Sequence, residues 1–374
     1  PVQIAGFIVA LRMKGETTEE LIGLVNAMLD RSVRVELDDP EGVIDLVGTG
    51  GDKSHSINVS TLAALTVVGA GGRVCKHGNR AASSSTGTAD VLEALGVAID
   101  LGPEGVARCV RDAGMGFCFA PRYHGAMRHA GPTRKELGVP TVFNFLGPLA
   151  NPARVRRQVT GVADGAMAER VVQVLAANGS ERAFVVYGHD GLDELTTTTT
   201  STVLELVDGE VRTYDIDPSQ LGIARTTLDA LRGADPATNA RLAEAILAGT
   251  PGPGSDIVAL NAAAGLLAAG LVESWADGVE AARSALADGR AAAALERLVV
   301  ESLDIPGLAQ QLGRGLPALL AQQGLGALIQ NASAFFQLDI IYVGIICIGF
   351  IALAMDLVLR AVSRRLVAWQ DRLA

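Results

Sequence analysis

The sequence predicts an α/β protein: a small N-terminal helical domain joined to a larger domain built on a mostly parallel sheet. Three observations lead there. Short apolar runs alternate with helical stretches from residue 43 to about 191, the pattern of strands crossing over through helices. Residues 1–37 keep polar and apolar side chains at helical spacing throughout, as expected of a separate helical unit. Residues 225–299 are Ala-rich and divided by Gly and Pro, as at Thr250-Pro251-Gly252-Pro253-Gly254, so helices end the body. The chain has 374 residues, 49% of them hydrophobic, ample for a large core.

In order, Val43-Ile44-Asp45-Leu46-Val47 reads as a buried strand, followed by a Gly-rich turn at 48–52. Residues 60–69 read as a helix, Arg73-Val74-Cys75 as the next strand, 88–95 as a helix and Val97-Ala98-Ile99 as another strand. A helix over 165–178 precedes a strand over 182–187. Two apolar runs between 203 and 217 flank Asp208-Gly209, a hairpin signal. The five threonines at 196–200 are expected as a strand or extended loop. The domains are placed at 1–40, 41–299 and 300–374, with some later helices joining the first.

Composition narrows the function. Only 4% of residues are aromatic and the net charge is −10, which argues against a nucleic-acid binder. Cys75, Cys109, Cys118 and Cys347 show no ligand spacing; they read as small core residues in a reducing compartment. The catalytic body is accordingly expected in the cytoplasm.

Four motifs carry chemistry. Gly48-Thr49-Gly50-Gly51-Asp52 directly follows a strand, where glycines let backbone N–H groups converge on an anion; an ordinary tight turn is the alternative. Asn58-Val59-Ser60-Thr61 opens the next helix, as ligands or as N-caps. Lys76-His77-Gly78-Asn79-Arg80-Ala81-Ala82-Ser83-Ser84 ends the second strand, with three potential cations where an open α/β sheet binds ligands. Two of the four lysines, Lys53 and Lys76, fall in these loops of an acidic chain, which favours a phosphorylated substrate. Asp193-Glu194 closes Gly188-His189-Asp190-Gly191-Leu192; the pair are loop charges or, beside a diphosphate cradle, ligands of Mg²⁺. Neither G-x-G-x-x-G nor G-x-x-x-x-G-K-[ST] is present, so dinucleotide and nucleotide-triphosphate sites are set aside.

In this order the motifs resemble those of the anthranilate phosphoribosyltransferases of tryptophan biosynthesis, from residue 1 to about 299, with Phe143-Asn144-Phe145-Leu146-Gly147-Pro148-Leu149 matching as well. The resemblance implies that Gly48, Gly51, Asp52 and Ser56 hold the diphosphate of phosphoribosyl pyrophosphate. It implies that Asn58, Val59, Ser60 and Thr61 contact its phosphates. Lys76, His77, Gly78, Asn79, Arg80, Ala81, Ala82, Ser83 and Ser84 would wrap the same substrate, with Thr88 where Ser is usual. Ser60, Asp193 and Glu194 would hold Mg²⁺. Gly48, Asn79 and Arg134 would face anthranilate, with His124 near its entrance. The implied reaction displaces pyrophosphate from ribose C1 by an uncharged aromatic amine, so no essential general base is assigned; His124 is expected to take the amine proton late. A homodimer through the helical domain is implied too. Pyrimidine nucleoside phosphorylases share the fold, but their phosphate loop differs from 76–84; a nucleic-acid-binding relative would be expected to be basic.

The ends read differently. Pro1 runs straight into apolar 4–11, a helix already in progress, so the first helices of the domain are expected to be missing. Residues 340–359 carry a single charge, Asp356, over a length that crosses a bilayer, and 321–370 resemble the end of a nitrate/sulfonate/taurine-type ABC-transporter permease. Arg360, Arg364 and Arg365 follow; the positive-inside rule would put a single crossing's catalytic body on the wrong side. The expectation is a truncated enzyme joined to a permease fragment, with an added apolar C-terminal helix; an inactive or membrane-attached fragment is the rival.

Overall fold

The computed structural model describes residues 1–52, 54–81 and 86–304. Its centre is a seven-stranded sheet: β1 (Val43–Gly48), β2 (Arg73–Gly78), β3 (Met115–Phe119), β4 (Arg157–Gly161), β5 (Arg182–Gly188), β6 (Ser201–Val207) and β7 (Glu210–Ile216), in the order β3-β2-β1-β4-β5-β6-β7. The first five are parallel, and β6 and β7 add antiparallel. The sheet is therefore mixed. The expected hairpin is β6–β7, turning on Asp208-Gly209 with φ of 50° and 85°, the doubly positive turn that suits strand twist.

The helices are α1 (Val2–Lys14), α2 (Thr18–Asp30), α3 (Val59–Gly69), α4 (Thr88–Ala94), α5 (Pro103–Asp112), α6 (Ala120–Tyr123), α7 (Gly131–Leu137), α8 (Phe143–Leu149), α9 (Ala168–Ala177), α10 (Pro236–Leu247), α11 (Pro253–Ala269), α12 (Trp275–Ala287) and α13 (Arg290–Ser302). A capping box of Thr17 and Glu20 starts α2. Side chains of α3, α11 and α13 share one apolar cluster with Ile44 and Leu46, whereas α2, α8 and α9 form another with Ala183, Val185 and Leu204. Alternate residues of each strand thus face different layers. The N-terminal helices pack on α7, α8 and α9, so residues from the middle of the chain complete the helical side.

The strands depart from expectation in three places. Val97 and Ile99 are buried, but they link α4 to α5 without a ladder partner; burial alone accounts for their apolar character. The edge beside β2 goes to β3 instead. The central strand β4 escaped notice because Gln158 and Thr160 look polar; both are buried, Gln158 Nε2 donating to Pro148 O (2.7 Å) and Thr160 Oγ1 (2.6 Å). The threonines at 196–200 form a loop. Among the described residues no helix is long and apolar enough to cross a membrane. The apolar helix and permease-like segment expected within 305–374 lie outside the described residues.

Candidate active site

A cleft of about 600 Å³ opens at the C-terminal ends of β1, β2 and β5, roofed by the segment from Ala120 to Pro148. It gathers most residues that the sequence singled out: Gly48, Gly51, Asp52, Ser56, Asn58, Val59, Ser60, Lys76, His77, Gly78, Asn79, Arg80, Ala81, Thr88, His124, Arg134, Asp193 and Glu194. Thr61 is not on its wall. That side chain is buried within α3, and its Oγ1 has no hydrogen-bond partner among the described residues. Ala82, Ser83 and Ser84 lie outside the described residues.

The acidic pair lies over the strand ends. Asp193 lies directly over the ends of β1 and β4: a Cβ on Gly48 would overlap its carboxylate, and one on Gly161 its carbonyl oxygen. Glycine at both strand ends is therefore what admits this residue. Gly50 N donates to Asp193 Oδ2 at 2.6 Å, and the left-handed φ of Gly50 and Gly51 (68° and 83°) shapes that turn. The glycine loop thus already spends one N–H on an acidic side chain. Burial, then the nearby Asp52 carboxylate, push Asp193 up to about 7. Glu194 is raised well above the usual carboxylate range by burial and by Asp193, although the Ser60 N–H bonds to it.

Asn261 of α11, which sequence reasoning missed, holds the next peptide. Its Oδ1 accepts from Leu195 N (3.0 Å) while its Nδ2 donates to Leu195 O (2.8 Å) and Ile257 O (2.9 Å). A lone amide in an Ala/Leu helix was the available signal. Before the pair, Asp190 Oδ2 accepts from Thr196 Oγ1 (2.7 Å) and Thr198 Oγ1 (2.5 Å).

The three potential cations of the second-strand motif differ from one another. Lys76 is buried on β2; its Nζ donates to Leu46 O and to Ser60 Oγ (3.2 Å). Burial lowers its pKa, opposed by Asp45, Glu194 and Asp193. His77 is not a cation: burial and then His124 push it down to about 3. Its Nδ1 lies 3.0 Å from Gly147 O, and His124 Nε2 lies 2.9 Å from Ala150 O. A carbonyl only accepts, so those nitrogens carry the protons. Burial keeps His124 neutral too. Arg80 pairs with Asp90 (2.9 Å) and Glu93 (2.7 Å) on or beside α4, with its guanidinium 5.6 Å from the Phe119 ring centroid. Asn58 sits at the N-cap of α3 but its side chain makes no capping bond; its amide bridges Thr86 O (3.2 Å) and Asn239 (3.1 Å).

Arg134 stands opposite. It has no ion pair among the described residues, lies 5.3 Å over the Phe143 ring and loses basicity only through burial. A guanidinium kept partly dry and unpaired suits a planar carboxylate.

Mg²⁺ fits this donor set. No three His, Cys, Asp or Glu side chains converge as a metal cage among the described residues. Two desolvated carboxylates and the Ser60 hydroxyl do adjoin a cleft wide enough for water and phosphate oxygens, which Mg²⁺ prefers as its remaining ligands.

A mixed sheet with helices on both faces, a helical unit and a cleft at the strand ends are the architecture of a glycosyl transferase family. Residues 40–292 match the glycosyl transferase family, a/b domain, and 1–32 its helical bundle domain. Two curated anthranilate phosphoribosyltransferases show the narrower kinship. That of Rhodococcus jostii (strain RHA1) is 54% identical over 301 residues, 79% of this chain and 82% of the relative; that of Sinorhizobium medicae (strain WSM419) is 50% identical over 302 residues, 81% and 89%. Among solved structures, the Thermus thermophilus enzyme superposes with a TM-score of 0.77 at 43% identity, covering 81% of this chain and 90% of that one. The Saccharomyces cerevisiae enzyme in complex with PRPP and Mg gives 0.75 at 30% identity, covering 81% and 86%. The chain belongs to the anthranilate phosphoribosyltransferase family.

Proposed function

We propose that this cleft transfers phosphoribosyl from phosphoribosyl pyrophosphate to the amine of anthranilate, with release of pyrophosphate. One observation carries the reading: a desolvated carboxylate pair under a glycine loop shares a single cleft with an unpaired arginine over an aromatic ring. The first suits a metal-bound diphosphate and the second an aromatic carboxylate.

In this reading Asp193, Glu194 and Ser60 hold Mg²⁺, which when bound neutralises charge growing on the leaving pyrophosphate. Gly48 to Asp52 and Asn58 to Ser60 surround the diphosphate. Lys76 offsets the charge of the acidic pair from beneath. Arg134 pairs with the anthranilate carboxylate, and Phe143 stiffens the guanidinium through its ring face. That alignment points the amine at ribose C1. An aryl amine is neutral near pH 7, so attack needs no strong base. His124, bonded to Ala150 O through Nε2, leaves Nδ1 to accept the proton after bond formation. Turnover unchanged in His124→Ala sinks that role.

The catalytic body is assigned to the cytoplasm, where this substrate would be met, and a homodimer through the helical side is part of the same reading. The test follows anthranilate fluorescence with phosphoribosyl pyrophosphate, with and without Mg²⁺. Loss that needs both establishes the reaction. Folded protein without loss overturns it.

A further inference from the structure

Strands β1 and β2 pair only at Val43–Arg73 and Ile44–Val74, although β1 follows β4 to Gly48–Gly161 and β2 follows β3 to Gly78–Phe119. Val74 N bonds Gly114 O on the β3 side, so odd-numbered residues of β2 face β1. The next rung of a parallel ladder would therefore join Leu46 N–H to Cys75 C=O and Leu46 C=O to His77 N–H. None of these four groups meets its ladder partner. Asp45 accepts from His77 N (3.2 Å) and from Leu46 N. Asn151 Nδ2 donates to Cys75 O (2.8 Å) and to Asp45 Oδ2 (2.8 Å). Lys76 Nζ takes Leu46 O. Asp45 and Asn151 are both buried. Lys76 fills the gap from the α3 side, and Asp45 with Asn151 fills it from the other.

We propose that Asp45 and Asn151 form a buried wedge that holds the ends of β1 and β2 apart, and that Asp45 is a positioning residue for the reaction. The gap sets the spacing between the two loops that leave those strands, 48–52 and 78–81, which face each other across the cleft. It also registers the end of α8 and the residue after it, whose Gly147 and Ala150 carbonyls fix the two imidazoles. Asn151 Oδ1 accepts from Ala153 N (2.9 Å), so its amide cannot turn without losing bonds at both ends. Nothing here calls for Asp45 to touch a substrate.

The inference rests on the cleft being the active site, and the experiment separates the two. Asp45→Asn keeps the size but sets one amide donor against another; Asn151→Ala removes the donor that Asp45 Oδ2 and Cys75 O share, and the double variant closes the cycle. Each protein is assayed well below its melting temperature, and the amide resonances of Leu46 and His77 are recorded without substrates. The expected result is a fall in kcat/KM of at least about tenfold in Asp45→Asn. A raised KM for phosphoribosyl pyrophosphate, shifts at both amides and a double variant no worse than the poorer single variant are expected with it. Folded Asp45→Asn within about twofold of the parent in both KM values overturns the wedge as a positioning device. A double variant in which the two single losses multiply overturns the pairing with Asn151. An inactive parent chain overturns the functional reading, while unmoved amide resonances overturn the wedge in that case as well.

Discussion

Where the strands end, the cleft floor consists of polar groups already committed to one another: Asp193 to Gly50, Glu194 to Ser60, Lys76 to Leu46 and Ser60. On the helical side the opposite holds, since Arg134 keeps its charge without a partner among the described residues and rests on Phe143. The floor gathers carboxylates that burial and one another disfavour as anions, a strain that in the proposed reading a bound Mg²⁺ would relieve. In the proposed reading the helical side holds one cation back for one carboxylate. Substitutions on the floor should therefore strike the chemical step, and those opposite should strike acceptor binding.

The largest effect is expected at the acidic pair. Glu194→Gln should cut Mg²⁺-dependent turnover by about 10³-fold, the scale of losing a main electrostatic contributor, while calorimetry shows weakened Mg²⁺ binding. Next comes Gly161→Ala. Its Cβ would overlap the Asp193 carbonyl oxygen, backbone that cannot step aside, whereas Gly48→Ala meets only a carboxylate that can swing away. Turnover should fall by about 10²-fold in the first and less in the second, measured side by side. Arg134→Ala should raise the KM for anthranilate by about 10–100-fold, the value of a charge-assisted pair, with the KM for phosphoribosyl pyrophosphate little changed. A similar loss in both KM values would erase the division between the halves.

Asn261→Ala is smaller. It strands Leu195 N–H and C=O in the interior, a cost of about 1–3 kcal/mol, readable as a lowered melting temperature with a weakened Mg²⁺ response. Smallest is the pH effect of His77. Its folded pKa of about 3 lies below the ordinary 6.5, so the unfolded chain binds a proton that the folded chain refuses. Stability from this site is full above 6.5 and is lost as pH falls toward 3. His77→Asn keeps a donor for Gly147 O and cannot titrate. Its melting temperature should drop less than the parent's between pH 7 and 5, by a few degrees. Asp45, raised to about 6, runs the other way but is present in both proteins.

Most of the site was legible because phosphate chemistry clusters in short segments. Gly48 to Asp52 announces a turn through its glycines, whereas Asp193-Glu194 alone reads as ordinary loop charge and gains meaning only beside that turn. Arg134 stood out less, within Arg134-Lys135-Glu136, where a surface charge was equally good; only its neighbour Phe143 and its missing ion pair distinguish it. His77 shows the limit. Its residue type promised a cation; burial among the surrounding elements removes the charge, with His124 adding to the effect and the bond to Gly147 O opposing it.

Sequence by itself determined the elements whose causes are local: the β1 and β5 runs, the Asp208-Gly209 hairpin, the Ala-rich helices, and the order of the loops that carry chemistry. Tertiary structure alone decided that Gln158 and Thr160 belong to a central strand, and that Val97 to Ile99 join no sheet. It also decided that Gly161 exists to make room for Asp193, and that β1 and β2 part after Ile44. Each depends on which distant group fills a hydrogen bond or a volume. A side chain's own type states what it can bond, but the partner that satisfies it lies far along the chain, and only folding brings the two together.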